Sequence, residues 1–321
     1  MQTLKDTIKQ MTVPTPYAVG DVHVYLLIGE ELTLIDAGVK TEDAWKALQH
    51  QLSEIGYQPE DVTQVVLTHH HPDHMGLVDH FPNVSLVAGH PKIRPWFERD
   101  DAFFEHYEEF FYNMYVESGV PDQYYALLKA LRKPLKWTSE GILTKELTEG
   151  EPIPGHEEWV TIETPGHAQS HISFYRESDG ALIGGDHLLQ HISSNPLLEP
   201  PFKKGEARPR PLLQYRDSMK KLLDKHIGVI YPGHGKVFEG AHELVRDRLR
   251  KQELRSEKVL QMFERGPLTA FEVCSKLFPK HMESQFGLTM SETIGQLDYL
   301  EYTNQLNAYW QGKKKIYDVV R

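Results

Sequence analysis

The first third of the chain sets short β-rich apolar runs against one amphipathic stretch. VHVYLLIG (22–29) and ELTLIDAG (31–38) meet at Glu30-Glu31, which predicts an early hairpin ending at Asp36-Ala37-Gly38. KTEDAWKALQHQLSEIG (40–56) then spaces its apolar residues at helical intervals and closes on Gly56, a helix stop signal. VTQVVLTHHH (62–71) is a short buried strand running straight into histidines, and VSLVAGH (84–90) predicts another strand. From 91 to 135 the rhythm becomes helical, aromatic and acidic, with a break at Gly119-Val120-Pro121, so this stretch predicts two or more helices inserted between strands. EWVTIETPGH (158–167), HISFYRESDGALIGGDHLL (171–189, turning at Asp179-Gly180) and GVIYPGHG (228–235) restore the strand pattern. Several strands thus end on His or Asp, where side chains project from sheet edges into one cleft.

Beyond about residue 240 the pattern changes again. Residues 242–265, 268–278 and 290–306 are helical, and 307–320 predicts a terminal hairpin around Gln311-Gly312. Three helices and a hairpin in this order suggest a small winged-helix-like unit. The expected division is 1–240 for a main α/β domain, with 91–135 as its helical insertion, and 241–321 for the smaller unit.

Composition narrows the function classes. With 321 residues, the chain can bury at least one large core. A formal net charge of −11 opposes nonspecific attraction to nucleic acid or to anionic membranes. No apolar run reaches the ~18–20 residues of a membrane span. The single cysteine, Cys274, excludes an intramolecular disulfide and a cysteine-rich zinc knuckle, and it suits a reducing compartment. MQTLKDTIKQM (1–11) lacks the apolar centre of an export signal, so the expected location is cytoplasmic.

The chemistry concentrates in THHHPDHMG (68–76), spaced His69-x-His71-x-Asp73-His74. On leaving a strand, residues 69 and 71 point the same way. Four donors in six residues exceed what one catalytic ion takes from a single segment, which favours two adjacent ions. His167 in TPGH, Asp186 in GGD and His234 in YPGHG add donors, each beside a glycine that lets the backbone turn tightly. His171, His187 and His191 read either as partners orienting ligands or as ordinary packing residues, and Cys274 reads as a small core residue.

THHHPDHMG, TPGH, GGD and YPGHG, in that order over roughly 15–240, resemble the metallo-β-lactamase superfamily. The resemblance implies a four-layer αβ/βα sandwich with its metal site at one edge of the two sheets. It implies that His69, His71 and His167 bind one metal, that Asp73, His74 and His234 bind a second, and that Asp186 bridges them. His70 falls at a non-ligand position, and Asp36 matches a supporting position that does not coordinate. Two divalent ions per chain are expected, zinc first, with iron or manganese also suited to mixed nitrogen and oxygen donors. Asp73 is the expected catalytic residue, orienting the nucleophile and relaying its proton.

Three function classes follow. The first is a dinuclear metal-dependent hydrolase of a small ester, thioester or lactone; TPGHAQSHISFY resembles glyoxalase II-like enzymes, although Ser170 stands where many relatives carry glycine. The second is a metal-dependent endoribonuclease or phosphodiesterase like the β-lactamase-like protein 2 group, whose tail 266–278 and 291–302 resemble. The third is a non-catalytic winged-helix regulator with structural metal. Helix 290–306 carries Glu292, Asp298 and Glu301 and no lysine or arginine, which argues against a DNA-reading helix. The expected partner is therefore a small molecule. The aromatic insertion has two readings: a lid over the metals built from Phe103, Phe104, Phe110, Phe111, Tyr112 and Tyr115, or packing that includes a homodimer interface.

Overall fold

The structure, a computed structural model, describes residues 7–320; Met1–Asp6, part of the stretch read for an export signal, and Arg321 lie outside the described residues. Two sheets carry the main architecture. The first runs β1 (Ile8–Val13), β2 (Val22–Ile28), β3 (Leu32–Ile35), β4 (Gln64–Leu67), β5 (Leu86–Gly89) and β6 (Lys145–Glu146), antiparallel through β3 and parallel beyond it. The second has the order β11-β10-β9-β8-β7, with β7 (Pro152–Ile153), β8 (His156–Glu163), β9 (Ile172–Arg176), β10 (Ala181–Gly185) and β11 (Val229–Pro232).

Strand periodicity explains the layering, because alternate side chains face opposite sides of a sheet. In β2, Val22, Val24 and Leu26 pack under α1 (Glu42–Ile55), while Tyr25 and Leu27 enter the core between the sheets. In the second sheet Phe174 and Ile183 face inward, and Tyr175 and Leu182 face outward. Their outer cover comes from α4 (Pro211–Leu223) and the start of α5 (Ala241–Gln261). Helix, sheet, sheet and helix thus follow in four layers. The expected helix at 40–56 is α1, with Thr41 accepting from the Ala44 amide and Gly56 closing it in the left-handed region at φ 96°. Neither β1 nor α4 is among the elements the hydrophobic pattern predicts.

The insertion holds α2 (Arg94–Phe97), α3 (Asp101–Ser118) and 3-10 turns to Trp137. After α5 come β12 (Leu268–Thr269), α6 (Ala270–Leu277), α7 (Phe286–Tyr302), β13 (Leu306–Gln311) and β14 (Lys314–Val319), with the three strands in the order β12-β14-β13. Met114 and Tyr115 of α3, with Val120 and Tyr124, share one apolar core with Val273, Met290, Leu297 and Tyr317. The insertion and the described C-terminal elements therefore share one core. Helix α7 is buried on nearly every side, so its acids need partners. Asp298 pairs with Arg208 at 2.5 Å and Glu292 with Arg255 at 2.8 Å.

Candidate metal centre

Five strand ends converge at one edge of the sandwich. β4 delivers Thr68 to His74, β8 leads to His167, β10 to Asp186, β11 to His234, and β3 ends at Asp36. Close approach of the loops requires glycine at two points. A Cβ on Gly233 would run into Asp186 Oδ1, and one on Gly166, at φ 137°, would run into Tyr215.

All seven sequence-predicted donors arrive at this edge. Ligand atoms of His69, His71 and His167 lie within 4.8 Å of one another, as do those of His69, His74 and Asp186, and of Asp73, His74 and His234. Asp186 spans the cluster: Oδ2 is 3.5 Å from both His167 Nε2 and His234 Nε2, and Oδ1 is 3.4 Å from His74 Nε2. Asp73 Oδ2 is 3.3 Å from His234 Nε2.

Outer partners fix which nitrogen each ring turns inward. His74 Nδ1 donates to Asp36 Oδ2 at 2.8 Å, and His234 Nδ1 to the Asp21 carbonyl at 2.7 Å. His167 Nδ1 lies 3.0 Å from the Asn195 carbonyl and 2.8 Å from Ser194 Oγ. Thr68 Oγ1 donates to Asp36 Oδ2, so it accepts from His69 Nδ1 at 3.0 Å. Each of these four rings therefore offers Nε2 to the cluster, whereas His71 offers Nδ1, 3.0 Å from His69 Nε2 and 2.9 Å from His167 Nε2.

This arrangement fits a metal. Lone pairs so close repel unless a cation lies between them. The buried His74 Nε2 and Asp186 Oδ1 make no hydrogen bond, although buried polar atoms are normally paired. Protonation divides the rings into two kinds. Burial and neighbouring imidazoles hold His69 and His71 well below the ordinary histidine value, and burial lowers His167, leaving neutral ligands. Burial also opposes charge on His74 and His234. Even so, Asp186, Asp36 and Asp73 raise His74 well above its usual value, and Asp186 with Asp73 pushes His234 up to about 10. His234 and His74 in turn hold Asp186 far below the carboxylate range against its burial. The pocket thus gathers positive charge around its carboxylates.

The residues left open by the sequence now separate. His171 Nε2 accepts from the Asp186 amide at 3.1 Å and supports that loop. His187 is buried beside Tyr215 with both ring nitrogens unbonded, and His191 is exposed. His70 turns away, stacks on Trp96 and bonds Ser170 Oγ at 2.8 Å. Cys274 is buried in the core.

A cavity of about 480 Å³ opens over the donors, lined also by Tyr17, Pro134, Leu189 and Leu288. The lid expectation is corrected here: of 91–135, Pro134 alone lines this cavity. Phe104 is buried against Trp96, Phe111 and Tyr115 pack into the core shared with the C-terminal helices, and Tyr112 is exposed. Helical periodicity locates an apolar stripe without saying what covers it. Tyr17 carries no motif signal, yet it stands by Asp73. Burial, and then the Asp73 carboxylate, push its phenol up to about 12, which keeps it a proton-bearing donor.

Sandwich and donors together define a metal-binding protein of the αβ/βα class. The chain belongs to the metallo-β-lactamase superfamily, whose family profile (Metallo-beta-lactamase superfamily) matches residues 17–234. It is 43% identical over 310 residues to the "Probable metallo-hydrolase YqjP" of Bacillus subtilis, covering 97% of each chain. It is 23% identical over 308 residues to the Beta-lactamase-like protein 2 homolog of Drosophila melanogaster, covering 95% of this chain and 90% of that one. A crystal structure of a metallo-beta-lactamase family protein from Thermus thermophilus superposes with a TM-score of 0.82 at 28% identity, over 99% of this chain and 100% of that one. Among the described residues, no helix is long and apolar enough to cross a membrane.

Proposed function

We propose that the chain is a metal-dependent hydrolase of a neutral acyl substrate: a small ester, thioester or lactone. The observation that carries this reading is the cavity itself. Metal-site donors form its floor, and no lysine or arginine among the described residues lines it. Metal ions can meet the charge of one reacting phosphate, but the flanking phosphates of a nucleic-acid strand call for cationic side chains along the cavity, whereas a neutral acyl substrate calls for none. The metallo-hydrolase name of the Bacillus subtilis relative supports the reaction class.

In this reading His69, His71 and His167 would hold one divalent ion and Asp73, His74 and His234 a second, with Asp186 available to both; zinc is the first choice, with iron or manganese as alternatives. Bound there, the ions would acidify water toward a pKa of about 7 and polarise the substrate carbonyl. The protein's own groups do the rest. Asp73 faces the cavity as an ionised acceptor, orients the attacking water, takes its proton and passes it to the leaving group. Tyr17 donates to oxygen on the same side. Ser194 and Asn195 keep the His167 ring in register. Residues 241–321 are assigned as a winged-helix-like unit with a structural role.

The test uses protein purified without chelators. Elemental analysis should give two ions per chain. Hydrolysis across a panel of esters, thioesters, lactones and single-stranded RNA should favour the acyl substrates, vanish with chelator and return with added metal. Cleavage of RNA alone, or acyl hydrolysis indifferent to chelator, would overturn the assignment.

A further inference from the structure

The wall of the metal cavity is apolar, and its pieces come from distant parts of the chain. Val19 precedes β2, Pro134 belongs to the insertion, Leu189, Ile192 and Leu197 lie on the loop after β10, and Leu288 comes from the first turn of α7. Ile192 is 45% exposed and Leu288 39%, high values for large apolar side chains, and both face this one cavity. The loop is fastened to the C-terminal segment. Arg248 of α5 donates from Nη2 to the carbonyls of Leu189, Gln190 and Ile192 at 3.0–3.2 Å, and the Leu198 amide donates to Ser291 Oγ of α7 at 3.2 Å.

We infer that this wall is an acyl-chain subsite and that the C-terminal segment, through Leu288, sets the length and polarity of the chain accepted. The inference rests on the acyl-hydrolase reading above and names its substrate as one with an apolar acyl group. Occupancy by an apolar chain follows from three facts. The wall is contiguous with the donor cluster, so a chain attached to the reacting carbonyl lies against it. Among the described residues it carries no lysine or arginine to recruit phosphate or carboxylate. And of its polar members besides Tyr17 and the metal-site side chains, Ser194 Oγ and the Asn195 carbonyl are turned to His167 Nδ1 rather than to the apolar side, while Ser193 is exposed. Leu288 is a specificity residue that touches substrate, not a metal partner.

The experiment measures kcat/KM of the metal-loaded full chain on p-nitrophenyl acetate, butyrate, hexanoate and octanoate, for wild type, Leu288→Gln and Leu288→Trp. Each methylene seated on the wall should raise kcat/KM about four-fold until the cavity fills, from ~0.8 kcal/mol per methylene at ~1.4 kcal/mol per decade. In both variants the loss should grow with chain length and be at least ten-fold greater on octanoate than on acetate. Calorimetric binding of acetate and octanoate gives a readout free of turnover: octanoate should bind wild type at least ten-fold more tightly, and Leu288→Gln should collapse that ratio. Flat chain-length dependence in wild type, or equal loss on every ester in the variants, overturns the subsite while hydrolysis stands. Absent hydrolysis with a binding ratio that Leu288→Gln collapses overturns the hydrolase reading while the subsite stands.

Discussion

Asp36 offers the sharpest test of how the centre is held. Its carboxylate accepts three hydrogen bonds at 2.8 Å: Oδ1 from the Thr68 amide, and Oδ2 from Thr68 Oγ1 and His74 Nδ1. Asparagine is the right replacement because residue 36 has φ 63°, a left-handed conformation that Asn tolerates and Ala does not. If the new amide keeps its oxygen toward the Thr68 amide, its NH2 faces two donors. His74 must then shift its proton to Nε2, the nitrogen turned toward Asp186, and it stops being a ligand. If the amide flips, the Thr68 N–H loses its acceptor and the strand end loosens. Removing an outer partner of this kind typically costs 10–100-fold in metal affinity, about 1.4–2.8 kcal/mol. Competition with a fluorescent chelator should show that loss for Asp36→Asn, with a circular dichroism spectrum unchanged from wild type. Affinity within two-fold of wild type would refute the claim that Asp36 sets the His74 tautomer.

Three further outcomes are expected. Gly233→Ala places a methyl group against Asp186 and His74, so metal content after dialysis should fall more than ten-fold, with ~1–3 kcal/mol of stability lost by chemical denaturation. Arg208→Ala strands Asp298, which is 1% exposed, and should cost ~3 kcal/mol in urea melts; adding Asp298→Asn should recover part of it. His90 is pushed down to about 4 by burial and then by Lys92, below its unfolded value near 6.5, so its effect on stability is absent above pH 6.5 and becomes a loss as pH falls toward 4. That loss is at most about 3 kcal/mol; His90→Asn keeps the acceptor for the Lys92 amide and should lessen, by up to that amount, the fall in stability across this window, the other buried histidines keeping the rest.

The legible part of the fold was the part carried by local signals. Branched runs ending in His or Asp marked strand ends, because a strand fixes side-chain direction and a following glycine fixes the turn. The donors could thus be collected without knowing the sheet order. Asp36 also stood at a strand end, but its supporting role came from the family resemblance alone. What escaped depends on contacts between distant segments. Tyr17 lies in a turn without a motif, and Leu288 belongs to a helix begun earlier than the pattern at 290–306 suggested, since Phe286 and Gly287 carry little helical signal. The aromatic stripe of α3 was visible, but most of the surface it seals comes from Val259 and residues after it. His70 was set apart already, by strand alternation and by its non-ligand position in the family pattern, and its ring does face away, against Ser170 and Trp96.

The core that joins α3 to the final helices imposes an order on biosynthesis. Met114, Tyr115, Val120 and Tyr124 leave the ribosome well before Val273, Met290 and Leu297 exist to cover them. During translation this greasy surface waits uncovered while the sheets can already pair, a window in which chaperones or self-association compete for it. A stop codon near residue 240 would make that window permanent, so nonsense alleles should yield aggregates instead of a smaller working enzyme.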